Sequence, residues 1–188
     1  MASRKDIISL PNASLRKKSS KIKVVDEKIR QLINDMIEAG LDWEDSRQYE
    51  VCVGLAAVQV DKLKRVVILR TDVPEDRKFT ILINPKIIKV YGEPELDFEG
   101  CLSVKDVYGV VPRYPKVKVQ ALDENGKDIR IIAEGFDARL IQHEVDHVEG
   151  IVFVDHIADE PEAFHKINDE GKIVKMDYED VKTAGILR

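Results

Sequence analysis

Hydrophobic and polar positions change their spacing several times along the chain. Between Asp26 and Gly40, apolar residues recur at intervals of three and four. This period predicts an amphipathic helix that Asp26 caps and Gly40 ends. The next ten residues, LDWEDSRQYE, are polar and aperiodic, which indicates an exposed loop over 41–50. Within this loop, Trp43 is expected to be a partly buried anchor.

The middle of the chain has the alternation and the β-branched content that are typical of strands. Four such runs are predicted, at 66–70, 80–90, 117–122 and 129–132. The last two flank the sequence ENG, and a turn of this composition between two alternating runs favours a β-hairpin. This part of the chain is therefore expected to be mostly sheet.

A helical period returns over 136–148. Two sets of residues each share a face, namely Phe136, Leu140, His143 and His147 on one side and Ile141, Val145 and Val148 on the other. A helix that is apolar on two faces is expected to be buried against sheet. The pattern as a whole predicts an α+β fold, in which mixed, mainly antiparallel sheets pack around this central helix.

Length and composition change this picture little. A chain of 188 residues without an internal repeat predicts a single domain over 1–188, with a charged C-terminal extension from about residue 159. A hydrophobic content of 44% and a net charge of -5 are typical of a globular protein with no specific nucleic-acid or membrane partner.

The basic stretch 16–23 is interpreted as a solvated segment, with a contact to an anionic partner as the alternative. The N-terminus lacks the apolar core of a secretory signal, so the cytoplasm is the expected compartment.

Chemistry enters with the pentad HEVDH inside the second helix. His143 and His147 stand four residues apart, which places both imidazoles over one point where they can hold a metal ion. Glu144 lies beside that face and is free to move protons. Taken alone, the pentad is also found among ordinary surface or core residues, so the metal interpretation needs a further ligand.

A catalytic ion of this kind needs a third protein ligand. A thermolysin-like site would take a downstream glutamate, and three are formally available: Glu160, Glu162 and Glu170. Cys101 is the stronger candidate, because in EGCLS the glycine before it allows close backbone approach and the thiolate can meet the histidines from the sheet. The alternative is a small, buried and inert residue.

The run GLAAVQ adds an uncharged donor. The small residues Gly54, Ala56 and Ala57 leave room beside the backbone, and Gln59 supplies a side-chain amide that suits a developing oxyanion. A tightly packed strand with a buried glutamine bonded to the backbone is the alternative.

Together, these segments resemble the three signature motifs of the peptide deformylases, of the forms GxGxAAxQ, EGCLS and QHExDH. The runs ISLPNASLRKKS, VPRYPKVKVQALDENG and GIVFVDHI are also similar to family sequence, so the likeness covers most of 7–157. It implies a metal-dependent hydrolase of protein biosynthesis, which removes the N-formyl group from the formyl-methionine of nascent polypeptides and releases formate. The nascent peptide is the expected partner, with a transient ribosome contact.

The resemblance also implies residue roles. Cys101, His143 and His147 would hold one divalent ion, ferrous iron first, with zinc, nickel or cobalt as alternatives. Glu144 would take a proton from the attacking water and pass it to the leaving amine. The side chain of Gln59 and the backbone N–H of Leu102 would stabilise the oxyanion.

Neighbouring residues are expected to support this site. Glu99 and Asp146 are the nearest acids that could orient the histidines, with Arg113 as their charge partner. The methionine pocket is assigned to Leu140 and Val53, and the peptide backbone is expected to add as a strand beside 53–55, which includes Gly54 and Leu55, or beside 107–110.

Three departures from the family pattern are present. Cys52 stands where the first motif starts with glycine, and the loop 41–50 is long. Val58 stands where proline or threonine is usual, and it is expected to reshape the rim of the site. Together with CLSV and VPRY, the long loop looks more like the Gram-positive-type enzymes. Two other functions stay open: a metallopeptidase of the HExxH type, and a weakly active homologue that binds nascent chains.

Overall fold

Two antiparallel sheets and three α-helices are the main elements of the part of the chain that the structure describes. The computed structural model describes residues 2–48, 50–70, 77–168 and 170–188. The helices are α1 (Glu27–Asp45), α2 (Gly135–Glu149) and α3 (Tyr178–Thr183). The strands are β1 (Gly54–Ala56), β2 (Val66–Leu69), β3 (Thr80–Tyr91), β4 (Glu95–Cys101), β5 (Val104–Arg113), β6 (Lys116–Leu122), β7 (Asp128–Glu134), β8 (Phe164–Ile167) and β9 (Ile173–Lys175). Over these ranges, no helix has the length and apolarity to cross a bilayer.

The strands separate into a five-stranded sheet of order β1-β2-β3-β6-β7 and a four-stranded sheet of order β4-β5-β8-β9. Every pairing between these named strands is antiparallel. β6 and β7 form the predicted hairpin, with Leu122 opposite Asp128 across the turn. The predictions of an α+β fold with mainly antiparallel sheets and of this hairpin are confirmed.

The first helix is longer than predicted. α1 starts after the cap Asp26, whose side chain accepts from the N–H of Ile29, but it continues through Gly40 to Asp45. The predicted loop 41–50 is therefore wrong over its first half, and Tyr49 lies outside the described residues. Gly40 does not end the helix: a Cβ there would lie 2.8 Å from Cys52 Sγ, so this glycine makes room for a buried thiol.

The second helix packs against the five-stranded sheet. Ile141, Val145 and Val148 lie in one core cluster with residues of β2, β3 and β6, as expected of a helix that is apolar on two faces. Phe136, at the start of the other face, is 56% exposed. His143 and His147 on that same face are buried and point toward the four-stranded sheet.

The C-terminal segment packs on the rest of the chain. β8 pairs with β5, and β9 pairs with β8. Phe164, Val181 and Ile186 join the core cluster that also holds residues of β5. In the basic stretch 16–23, Arg16 donates to Asp155 and to the carbonyl of Ile186, and Ser19 and Ile22 are buried, so the interpretation of the stretch as a solvated segment is wrong for these residues.

Candidate metal centre

Three side chains from two parts of the fold converge on one point. Cys101 is the last residue of β4, and His143 and His147 lie one turn apart on α2. One ligand atom from each lies within 4.8 Å of the other two, and Cys101 Sγ is 3.2 Å from His147 Nε2. Because His143 Nδ1 is bonded to Glu99, its Nε2 is the nitrogen that remains for an ion.

The donor set of these three residues fits a divalent metal. A thiolate with two imidazoles suits iron, zinc, nickel or cobalt rather than magnesium or calcium. Both histidines are buried, and His147 Nδ1 has no hydrogen-bond partner among the described residues. The alternative acids do not approach: Glu162 pairs with Lys175 and Glu170 with Lys172. In the described ranges this is the one group of three that could hold an ion.

Glu99 contacts His143, and both of its carboxylate oxygens have hydrogen-bond partners. Its Oε2 is 2.9 Å from His143 Nδ1 and accepts from Arg113 Nη2, while its Oε1 accepts from Arg113 Nε and Arg139 Nη1. Burial works to raise the pKa of Glu99, but the hydrogen bonds from His143 and Arg113 outweigh it, and the pKa lies far below its usual range. A carboxylate held ionised in this way fixes the ring of His143.

Asp146 continues this network on the other side of Arg113. It accepts from Arg113 Nη1, and its Oδ2 is 2.7 Å from His156 Nε2. Burial alone would raise the pKa of Asp146, yet His156 and Arg113 hold it below its usual value. The two acids proposed from the sequence thus share one arginine, Arg113, which is itself buried.

Glu144 has a different environment. It is buried, and its Oε2 has no hydrogen-bond partner among the residues that the structure describes. Burial raises its pKa to about 7, with His143 opposing and Glu99 adding to the effect. A Cβ on Gly54 would lie 2.5 Å from Glu144 Oε1 and 2.9 Å from Leu140 Cδ1. Only glycine at this position of β1 lets the carboxylate approach so closely.

Gln59 faces the triad from the turn after β1. Its Oε1 accepts from the backbone N–H of Ala56 at 2.8 Å, which fixes the amide. Its Nε2 then points at Cys101 Sγ, 3.5 Å away, and at Ser103 Oγ, 3.2 Å away. Leu102, whose backbone N–H was assigned to the oxyanion, occupies the turn beside it. The N-terminal segment contacts both turns: the N–H of Ile8 donates to the carbonyl of Gln59, and the N–H of Leu10 donates to the carbonyl of Ser103, next to Leu102.

A cavity of about 130 Å³ opens beside these residues. Its walls include Val53, Gly54 and Leu140, as the sequence proposed, together with the aromatic rings of Phe98 and Phe136. Leu55 is not part of the wall: it is fully buried in the cluster under α1, since alternate residues of a strand point to opposite faces. Only its backbone could serve a substrate.

Two strands were candidates for binding the peptide backbone. β5 lies between β4 and β8, with Tyr108 opposite His165 and Gly109 opposite Phe164. Because both edges of β5 are paired at Tyr108 and Gly109, a peptide cannot add as a strand along 107–110, and that alternative is wrong. Among the described residues, β1 pairs with β2 alone and ends the five-stranded sheet, which supports 53–55 as the edge that can accept another strand.

The departures from the family pattern leave the site geometry intact. Cys52 is absent from the described residues with positive φ, so no backbone strain arises there. Its thiol is free and fully buried, and burial with nearby Glu144 raises its pKa to about 12. Val58 is fully buried in the core rather than at the rim, so the expectation that it reshapes the rim is wrong.

Comparison with known proteins decides the family. The model of the polypeptide deformylases matches residues 4–162. The chain belongs to the polypeptide deformylase family. As a deformylase it is a hydrolase that removes the N-formyl group from nascent polypeptides. It is 44% identical over 145 residues to peptide deformylase 2 of Clostridium acetobutylicum, which covers 77% of this chain and 89% of that protein.

Further relatives and solved structures agree. The chain is 38% identical over 167 residues to a peptide deformylase of Dehalococcoides mccartyi, covering 89% of this chain and 93% of that one. A class I type b peptide deformylase of Acinetobacter baumannii superposes with a TM-score of 0.73 at 32% identity, over 84% of this chain and 99% of the other. The peptide deformylase of Synechococcus elongatus in complex with actinonin superposes with a TM-score of 0.71 at 36% identity, over 80% of this chain and 76% of the other.

Sequence reasoning missed four residues around the deformylase site. Arg139 and His156 hold the acids, and Phe98 and Phe136 line the cavity. Arg139 had a usable signal, because it lies four residues before His143 and thus on the same helix face. His156 stands outside any ligand spacing in the sequence, and its bond to Asp146 depends on a tertiary contact that no local pattern shows.

Proposed function

We propose that this deformylase hydrolyses the N-formyl amide at one divalent ion held by Cys101, His143 and His147. The observation that carries the assignment is the convergence of the three ligand atoms within 4.8 Å of one another. Glu144, whose Oε2 has no partner among the described residues, and the fixed amide of Gln59 border the same cavity. Ferrous iron is the proposed native ion, and zinc, nickel or cobalt could occupy the same donor set.

When bound, the ion would supply Lewis acidity, polarising the formyl carbonyl and lowering the pKa of a water molecule. The three protein ligands leave a position open for these groups. Glu99 keeps the ring of His143 in one orientation by accepting from its Nδ1, and Arg113 keeps Glu99 ionised. The ligand geometry is therefore set before any substrate arrives.

Glu144 is the proposed proton carrier. Its carboxylate is buried, it makes no hydrogen bond through Oε2 in the described structure, and its pKa is raised to about 7. A carboxylate of that basicity can accept a proton from the attacking water and return it to the leaving amine. Gly54 has no side chain and therefore leaves the space in which the carboxylate of Glu144 lies.

Charge on the formyl oxygen is proposed to be met by Gln59 and the backbone N–H of Leu102. The Gln59 amide is fixed by its bond to Ala56 N–H, so the donor does not have to reorganise during the reaction. Removal of one such donor typically costs about 10²–10³ in rate. The methionine side chain is assigned to the cavity between Val53 and Leu140, and the following peptide to the free edge of β1.

The test is formate release from a formyl-methionyl peptide by protein purified without oxygen and loaded with ferrous iron or nickel. We expect formate with the filled site and none with the chelated protein. An acetyl-methionyl peptide of the same sequence is the matched control for recognition of the formyl group. Internal cleavage of an unformylated peptide would favour the metallopeptidase, and a filled site without turnover would favour the weakly active, peptide-binding homologue.

We further propose that the enzyme acts in the cytoplasm, with transient contact to ribosomes as its substrates emerge. Both cysteines are free thiols, which is the usual state in a reducing compartment. Cosedimentation of the metal-loaded enzyme with ribosomes that carry formylated nascent chains would measure the contact. Sedimentation that is unchanged by ribosomes would contradict it.

A further inference from the structure

The three proposed ligands belong to different layers of the fold. His143 and His147 lie on α2, which packs on the five-stranded sheet. Cys101 lies on β4 of the other sheet. A metal site needs its ligands to be placed within a few tenths of an ångström. Some contact must therefore fix the distance between α2 and the β4–β5 hairpin.

Arg139 makes that contact. It is buried, with 9% of its surface exposed, and its guanidinium crosses from α2 to both strands of the hairpin. Nη2 donates to the carbonyl of Glu95 at 2.8 Å, and Nη1 donates to the carbonyl of Val111 at 2.8 Å and to Glu99 Oε1 at 2.9 Å. Three elements are joined by one side chain.

Arg113 makes the reverse crossing, from β5 to α2, but in a different manner. It donates to two carboxylates, Glu99 and Asp146, and thereby balances charge. Arg139 shares Glu99 with it and alone adds bonds to the backbone of β4 and of β5. The backbone bonds fix position, since carbonyls of a paired strand cannot rotate away as a carboxylate can.

We infer that Arg139 is a positioning residue, which sets the distance from Cys101 to the two histidines by tying α2 to the β4–β5 hairpin. This inference rests on the proposed function of the same site. Arg139 lies one helical turn before His143 and reaches it through Glu99, which bonds both. A planar guanidinium reaches all three acceptors at once, and the single ammonium of a lysine does not have that geometry.

Replacing Arg139 is expected to weaken the metal site, and by less with lysine than with methionine. In Arg139→Met, affinity for Co²⁺ is expected to fall about 10- to 100-fold, the usual range for residues that hold metal ligands. kcat should fall with it because the reacting centre moves, and KM is expected to change as well, since Arg139 is also among the residues that line the cavity. Arg139→Lys should recover part of both losses.

The experiment loads the full chain with Co²⁺ without oxygen and records the visible spectrum, which reports the thiolate and the coordination geometry. Co²⁺ affinity is measured in parallel by competition with a chelator. Arg65 supplies a control, since it is also buried and ties Glu149 on α2 to the carbonyl of Pro85, with no bond in the described structure to Glu99 or to the three proposed ligands. Arg65→Lys should lower the free energy of unfolding but leave the spectrum and the affinity unchanged.

A changed spectrum in both Arg139 variants, weaker in Arg139→Lys, with an unchanged spectrum in Arg65→Lys, would support the inference. Identical spectra and Co²⁺ affinity in Arg139→Met and the parent would overturn it, and so would equal effects of the Arg65 and Arg139 variants. If the parent protein bound no Co²⁺ through its thiolate, the proposed metal site would fail instead, so the two failures are distinguishable.

Discussion

Two buried glutamates border the proposed metal centre, and their surroundings are opposite. Glu99 lies on the strand side and accepts from two arginines and His143. Glu144 lies on the cleft side, next to Gly54, with one oxygen that has no partner in the described structure. The pKa of Glu99 lies far below its usual range, and that of Glu144 is raised to about 7.

The difference shows how one residue type serves two purposes in a single site. A carboxylate that is saturated with cationic donors stays ionised and holds other groups in place. A carboxylate that is buried without donors can exchange a proton near neutral pH. The strand side, with Glu99, is therefore interpreted as the part that holds the metal ligands in place. The cleft side, with Glu144, is interpreted as the part that takes part in the reaction.

The largest effect is expected from Glu144→Gln. The amide keeps the shape of the side chain but cannot accept the proton, so kcat should fall by about 10²–10⁴, with the metal content unchanged. Steady-state formate release and metal analysis of the same sample measure both. Glu149→Gln, on the same helix but bonded to Lys18 and Arg65, is the control and should keep its kcat. Metal loss in Glu144→Gln would place Glu144 among the ligands.

A second prediction concerns the pH dependence of the metal-free protein. The pKa of Glu144 is about 7 in the folded chain against an ordinary value of 4.5. The folded state therefore binds the proton more tightly. The stability due to this group is full below pH 4.5 and is lost as the pH rises through about 7.

The loss should amount to about 3 kcal/mol in the free energy of unfolding, because one pKa unit corresponds to about 1.4 kcal/mol. Urea unfolding of the metal-free parent and of Glu144→Gln between pH 4 and 8 measures it, since the amide does not titrate. Parallel curves for the two proteins would mean that Glu144 has a partner in solution and that the two sides of the site do not differ.

On the strand side, Glu99→Gln should act on the metal rather than on the proton. The amide cannot balance Arg113 and Arg139 and holds the ring of His143 less firmly, so metal affinity should fall about 10- to 100-fold. Chelator competition with Zn²⁺ measures this, and residual activity at saturating metal should approach that of the parent. A variant with normal affinity and a lost kcat would reverse the roles given to the two glutamates.

The smallest effect is expected at the edge of the strand side. His156→Gln removes one partner of Asp146, whose pKa is held below its ordinary value of 3.8, and should cost about 1 kcal/mol of stability. A lowered folded pKa stabilises above the unfolded value, so the deficit should be full above about pH 4 and shrink as Asp146 is protonated. Urea unfolding at pH 7 and at pH 3.5 tests this, and a deficit that does not depend on pH would exclude Asp146 as its cause.

Local patterns predicted much of the fold and most of the site. The period of α2 placed His143 and His147 on one face, and the hairpin of β6 and β7 followed from its turn. The strands β4 and β5 were not predicted as a hairpin, because β4 is mostly exposed and acidic and lacks the apolar alternation of a core strand. The predicted end of α1 was wrong because Gly40 does not terminate the helix. It is a glycine because a side chain there would collide with the buried thiol of Cys52.

By itself, the sequence determined the identity of the three proposed ligands and of Glu144, since these depend on spacing along a helix and on motifs that are contiguous in the chain. Only the tertiary structure decided which glutamate has a lowered pKa and which a raised one, and that Arg139 spans two layers. It also decided that, among the described residues, β1 has a strand partner on one edge and β5 on both. These features depend on burial and on partners far away in the chain, and neither quantity is encoded by the order of neighbouring residues.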